Sequence, residues 1–328
     1  MVKKFYNIHD LLKIGAEGYL DLDKSLSYFV TSRLNKLDLM IKIKQFDRDL
    51  SVYNRLGRYY LGKNEVIEKR KFGSIRFKNL FGKTELDATS GYVKLRPFGT
   101  LIGNILNFKL LAKNHALVHS ACISEDGEGC LICAWQGTGK TMVALKLVKE
   151  KASNFLSDDM TIIDNYGQAY CFPANVKLSL SHASEFELSN KVKLKLLIGK
   201  LIEQIPIVRR RLEITHLVPI TKLVENARIE RRCKIRKLVL LQQAADDSVN
   251  EIDMNIAVKR LALLNLWERI YWIDHLFIAY AYSDQEFDLQ KLEKKEQDII
   301  RSALKDASCY EVKFRKYAYG NIKKLLRA

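Results

Sequence analysis

The sequence predicts a mixed α/β fold, and three observations carry that expectation. A short apolar run, a glycine-rich turn and a helical stretch follow one another between residues 129 and 149. Short β-type runs separated by Gly, Asn or Asp fill the first hundred residues, and strand-like and helix-like segments alternate from there on. A chain of 328 residues, 48% of them hydrophobic, can bury a sizeable core and is long for one domain. Two domains are therefore expected, a small β-rich one over 1–98 and an α/β one over 99–328, the latter with a basic helical region over 183–237.

In chain order, the N-terminal part starts with a short helix expected over residues 7–16. Four β-type runs follow, at 38–44, 58–61, 74–78 and 91–95. Pro97-Phe-Gly99 reads as a turn, and 100–113 as a helix leading into the second domain. Past residue 150, 169–173 and 176–180 read as paired core strands and 235–241 as another strand. Long helices are expected over 255–282 and 284–307, then a strand at 308–314 and a closing helix at 320–327.

The centre of the chain carries the chemistry. Gly129-Cys-Leu-Ile-Cys133 has the apolar character of a buried parallel strand, and Thr141 to Lys149 has helical apolar spacing. Between them lies Ala134-Trp-Gln-Gly-Thr-Gly-Lys-Thr141, a phosphate-binding loop pattern in which Ala134 replaces the usual first glycine. Gly137 and Gly139 let backbone N–H groups close on phosphate oxygens, and a helix starting near Gly139 points its free N–H groups at them. Lys140 is placed to neutralise the terminal phosphates and the Thr141 hydroxyl to coordinate magnesium. Gln136, Gly137, Thr138, Gly139, Lys140, Thr141 and Met142 are the candidate nucleotide contacts. A glycine-rich turn with a coincidental lysine is the plainer alternative.

One helix further on stands Ser157-Asp158-Asp159. Adjacent carboxylates repel unless a cation or proton relieves them, which nucleotide-bound magnesium would do. One carboxylate can then hold metal while the other takes a proton from an attacking hydroxyl. A solvated Asp-Asp turn is the competing reading.

Leu117-Val-His-Ser-Ala-Cys-Ile-Ser124, the loop at 129–141 and Leu156-Ser-Asp-Asp159 together resemble the core of the HPr kinase/phosphorylase-like P-loop proteins, whose fold is related to phosphoenolpyruvate carboxykinase. The resemblance covers roughly residues 115–180. It implies a P-loop core of that type behind a variable β-rich N-terminal region, ATP and Mg2+ as cofactors, and homo-oligomers. It further implies Asp158 as general base, Asp159 and Thr141 as metal ligands, and Lys140 and His119 near the transferred phosphate. His119 also reads as a merely hydrogen-bonded strand-end histidine. Met142 stands where bacterial HPr kinases have glutamate, and their later glutamate signature is missing, with Glu185 and Glu187 as stand-ins. HPr as substrate therefore does not carry over.

The formal charge is +17, and between 191 and 237 fourteen Lys or Arg face four Glu, a local excess of ten. Such a stretch is either a solvated helical face or an attractor of polyanions, Arg209-Arg-Arg211 least resembling solvation. Aromatics are scarce there, so there is no stacking platform for single-stranded nucleic acid, and an acidic acceptor or the nucleotide is the expected partner. No apolar leader follows Met1, charges interrupt 256–282, and six cysteines form no disulfide framework, so a cytoplasmic protein without a membrane span is expected. The Cys130/Cys133 pair reads as core thiols rather than a metal or redox site. Two functions remain open. One is a kinase moving the γ-phosphoryl group to a hydroxyl of a protein, peptide or metabolite; the other is a nucleotide-binding regulator or weak ATPase without an external acceptor.

Overall fold

The computed structural model describes residues 3–18, 22, 26–46, 49–95, 98–150, 153–173, 176–178, 186, 190–203, 216–225, 227–270, 275–284 and 286–327. Glu185, Glu187 and Arg209 to Arg211 lie outside the described residues. The chain is mixed α/β, with two mixed sheets and helices, and it divides into two compact units. The first comprises 1–118, 163–166 and 258–303; the second comprises 119–162, 167–257 and 304–328.

The first unit holds a nine-stranded sheet. Its order is 30–31, Lys3–Ile8, Leu12–Glu17, Leu39–Ile43, Thr84–Ala88, Gly73–Lys78, Glu65–Arg70, Tyr59–Gly62 and Asn54–Leu56. Leu39–Ile43 is parallel to both of its neighbours, and the other pairs are antiparallel. The helix His275–Ser283 closes the sheet's apolar face, with Phe77 against Tyr280 at 4.7 Å and Phe108 edge-on to Phe277 at 5.1 Å. Buried Arg76 joins strands of this sheet by bonding Glu65 at 2.7 Å and Asp87 at 2.8 Å. Two carboxylates flank one guanidinium there, and Lys44 Nζ, 3.5 Å from Asp87, supplies the second positive charge.

Four local expectations are corrected here. Residues 7–16 form no helix: Lys3–Ile8 and Leu12–Glu17 are a hairpin whose reversal puts His9 at φ 53° and Asp10 at φ 60°. Asn7 secures the turn, donating from Nδ2 to Asp10 Oδ1 at 2.8 Å and accepting the Asp10 N–H at 3.0 Å. The 91–95 run is instead the helix Ser90–Leu95, which brings the Tyr92 hydroxyl to Glu68 at 2.6 Å. Among the described residues, 169–173 and 176–178 do not pair with each other, and 179–180 lie outside the described residues. Gln168–Tyr170 joins the strand Arg232–Gln243, and Val176–Leu178 pairs with His216–Val218. Finally, the helix expected over 284–307 is the shorter Leu289–Ala303, while the described part of 255–282 is helical over Met254–Ile270 and His275–Ser283, with 271–274 outside the described residues.

The second unit is built around Arg232–Gln243. Glu128–Ala134 lies parallel along one edge and carries on its other side Ala121–Glu125, then Asn154–Ser157, both antiparallel to their neighbours. Along the other edge run Gln168–Tyr170 and the parallel strand Ser308–Phe314, itself edged by Ser248–Glu251. The helix Lys140–Lys149 lays Val143, Ala144, Leu147 and Val148 against Ile123, Ile132 and Val239. Behind it stands the helix Tyr319–Arg327, contributing Ile322 to the same core. Lys323 reaches back to Glu150, and Lys146 lies over the Tyr317 ring. Among the described residues no helix is long and apolar enough to cross a membrane.

Candidate active site

The site grows from the end of Glu128–Ala134. Apolar residues on both sides of that strand bury it in the sheet, down to Ala134 at 1% exposure, and the chain then turns outward. Trp135, Gln136 and Gly137 are exposed; the Thr138 N–H donates to the Trp135 carbonyl at 3.2 Å. Gly137 and Gly139 adopt φ of 82° and 95°. A Cβ on either would meet no atom within 4 Å, so glycine is needed there for backbone conformation, not for space. Gly139 is the N-cap of the next helix and offers no side chain to its first N–H groups. Those donors are left for an external acceptor or water.

Lys140, the first helical residue, turns inward and is 6% exposed. Its Nζ lies 2.8 Å from His119 Nε2 and 3.6 Å from Asp159 Oδ1. An ammonium only donates, so Nε2 is the bare nitrogen and the imidazole proton sits on Nδ1, 3.5 Å from Asp159 Oδ1. Burial, reinforced by the Lys140 charge and opposed by Asp159, lowers the His119 pKa to about 4. His119 is therefore a neutral acceptor at physiological pH.

The two aspartates divide. Asp159 has φ 76°, a left-handed turn that Asp tolerates better than most residues, and it separates the directions of the neighbouring carboxylates. Asp158 is buried and accepts the Thr141 hydroxyl at 2.9 Å, whereas the Asp159 side chain is 70% exposed. Burial above all, with the repulsion of Asp159, raises the Asp158 pKa to about 6, against the pull of Lys140 and the Thr141 hydrogen bond. A buried carboxylate so tuned is suited to exchanging a proton near neutrality.

All five residues singled out for chemistry, His119, Lys140, Thr141, Asp158 and Asp159, thus lie together in the second unit. Met142 packs its side chain against the apolar core. Cys130 and Cys133 are buried three residues apart on one strand, so their thiols face opposite sides of the sheet and cannot close on one ion. Burial pushes both up to about 12. Among the described residues no three His, Cys, Asp or Glu side chains converge as a metal site.

Three hydroxyl residues have no role assigned from the sequence. Ser120, Ser157 and Thr161 are completely buried and mutually bonded: Thr161 Oγ1 is 2.8 Å from Ser120 Oγ, 2.5 Å from Ser157 Oγ and 3.2 Å from the Ser120 carbonyl. Their only sequence signal is adjacency, since Ser120 follows His119 and Ser157 precedes Asp158.

Fold and site together describe a mixed α/β protein with a glycine-rich strand-to-helix turn facing an ionisable cluster. No protein-family model matches the chain, and no curated protein does. Among solved structures it is similar to the Hpr(Ser) kinase/phosphatase from Coxiella burnetii, at 10% identity and a TM-score of 0.31, over 64% of this chain and 93% of that one.

Proposed function

We propose that the chain is an ATP-dependent phosphotransferase of the HPr kinase-like P-loop type, moving a γ-phosphoryl group to a hydroxyl acceptor. What carries the reading is the meeting of Lys140, His119, Thr141, Asp158 and Asp159 beside the Gly137–Gly139 turn. In this reading the free N–H groups at the helix start and the Lys140 ammonium hold the nucleotide phosphates. Neutral His119 keeps that ammonium aimed without competing for the anion. Asp158 removes the proton of the acceptor hydroxyl as its oxygen bonds to phosphorus and the bond to the nucleotide diphosphate breaks.

Magnesium fits the donor set: it favours one or two carboxylates completed by phosphate oxygens and water, and the cluster offers Asp159 and the Thr141 hydroxyl. When bound, it would neutralise charge on the phosphoryl oxygens. The acceptor is a protein, peptide or metabolite hydroxyl, acidic in character given the basic chain, and a cytoplasmic setting and homo-oligomer belong to the same reading.

The test is Asp158→Asn, assayed with γ-labelled ATP and magnesium against pools of amino acids, peptides and proteins. Wild type should label an acceptor, and the variant should bind ATP nearly normally while transfer falls about 100- to 10,000-fold. Unchanged transfer in the variant would remove Asp158 from its role. ATP binding without transfer by wild type would favour the nucleotide-binding regulator.

A further inference from the structure

We propose that Thr161 is a positioning residue for this site, its hydroxyl tying the residue after His119 to the residue before Asp158 and so setting the spacing between those two side chains. The proposal rests on the phosphotransferase reading for its functional consequence, though not for its geometry.

The ladder explains why such a tie is needed. Ala121–Glu125 and Asn154–Ser157 pair from Ser124↔Asn154 to Cys122↔Ser157, with an irregularity between Cys122 and Ile123. His119 and Asp158 both lie beyond the last of these pairs, so this ladder does not hold them in register. Thr161 supplies the connection. Its single proton serves the Ser120 carbonyl at 3.2 Å, which makes both serine hydroxyls donors to its oxygen, at 2.8 and 2.5 Å. One donated and two accepted bonds saturate the hydroxyl. All three side chains are at 0% exposure, so no water can replace a lost bond without the site opening. Asp159 makes the turn between Ser157 and Thr161 with φ 76°, and the hub closes the base of that turn. A shift there would move Asp158 off Thr141 and His119 off Lys140 together. Serine keeps the hydroxyl, whereas valine keeps the shape and removes every bond of the hub.

Thr161→Val and Thr161→Ser would be compared with wild type in two ways. Nitrogen-15 NMR of the His119 ring should show one fixed tautomer, protonated at Nδ1, in wild type and Thr161→Ser, and an averaged signal in Thr161→Val. Affinity for magnesium-ATP should fall about 10- to 100-fold in Thr161→Val and recover in Thr161→Ser. If Thr161→Val does not fold, Ser120→Ala and Ser157→Ala each remove one spoke and should move both readouts the same way. A wild-type His119 signal in Thr161→Val, or in both serine variants, overturns the positioning role. Failure of wild type to bind magnesium-ATP would instead overturn the phosphotransferase reading, while the His119 signal still decides the role of Thr161.

Discussion

Lys140 Nζ donates to His119 Nε2 across 2.8 Å, with both side chains buried. That hydrogen-bond partner is neutral, and the ion pair with the largely exposed Asp159 is looser, at 3.6 Å, so much of the charge stays available to an incoming anion. Lys140→Ala should therefore weaken ATP binding about 10- to 100-fold, the scale of a lost charge-assisted hydrogen bond. Titration of a fluorescent ATP analogue measures it; equal affinity in the variant would show that Lys140 makes no phosphate contact. The same substitution removes one of the causes holding His119 down, so its pKa should rise from about 4 without reaching the ordinary 6.5, because burial remains.

His119 and Asp158 make opposing contributions to acid stability in the nucleotide-free protein. His119 titrates near 4 when folded and 6.5 when unfolded, so between those values the unfolded chain binds more protons and stability falls as pH falls. Asp158 titrates near 6 when folded and 3.8 when unfolded, so the folded chain binds more protons in that window and acidification favours it. Between pH 4 and 6 the two offset each other. Asp158→Asn removes the compensation: thermal unfolding should show a steeper loss of Tm from pH 6 to 4 than in wild type. Parallel Tm profiles would contradict the assigned shifts.

Gly139→Ala should cost about 1–2 kcal/mol, because φ is 95° although the space beside it is open. Gly139→Asn should cost less, since Asn tolerates the left-handed region. Urea unfolding ranks the two, and an alanine variant as stable as wild type would mean that the turn can relax.

At Gly129 space decides instead. A Cβ there would lie 2.3 Å from Cys233 Sγ, so Gly129→Ala should destabilise by about 1–3 kcal/mol. Adding Cys233→Ala clears the sulfur and should recover part of the loss, giving a non-additive double-mutant cycle. Strict additivity would show that the strand Glu128–Ala134 shifts away from its neighbour.

The site was legible where local pattern and chemistry coincide. The apolar run at 129–133, the glycines at 137 and 139 and the helical spacing after Thr141 need only neighbours in sequence to be understood. Long-range pairing was less legible. Gln168–Tyr170 and Val176–Leu178 have strand character, but nothing local reveals that one pairs with residues 232–234 and the other with 216–218. Residues 7–16 misled because their Leu and Ile spacing suits a helix as well as a hairpin. The deciding feature is the left-handed pair His9 and Asp10, clasped by Asn7. That Ser120, Ser157 and Thr161 meet was not legible, because serine and threonine are commonplace and only folding turns them into one buried cluster.

The helix Tyr319–Arg327 backs the helix that starts at Lys140, so the loop's rear support is encoded far downstream of the loop itself. During synthesis, a chain that has passed residue 149 has the loop's residues but neither its parallel partner strand at 232–243 nor Ile322. Ribosome-bound fragments ending before that helix would carry the loop without Ile322 behind it, so a segment far downstream governs when the site takes its full support.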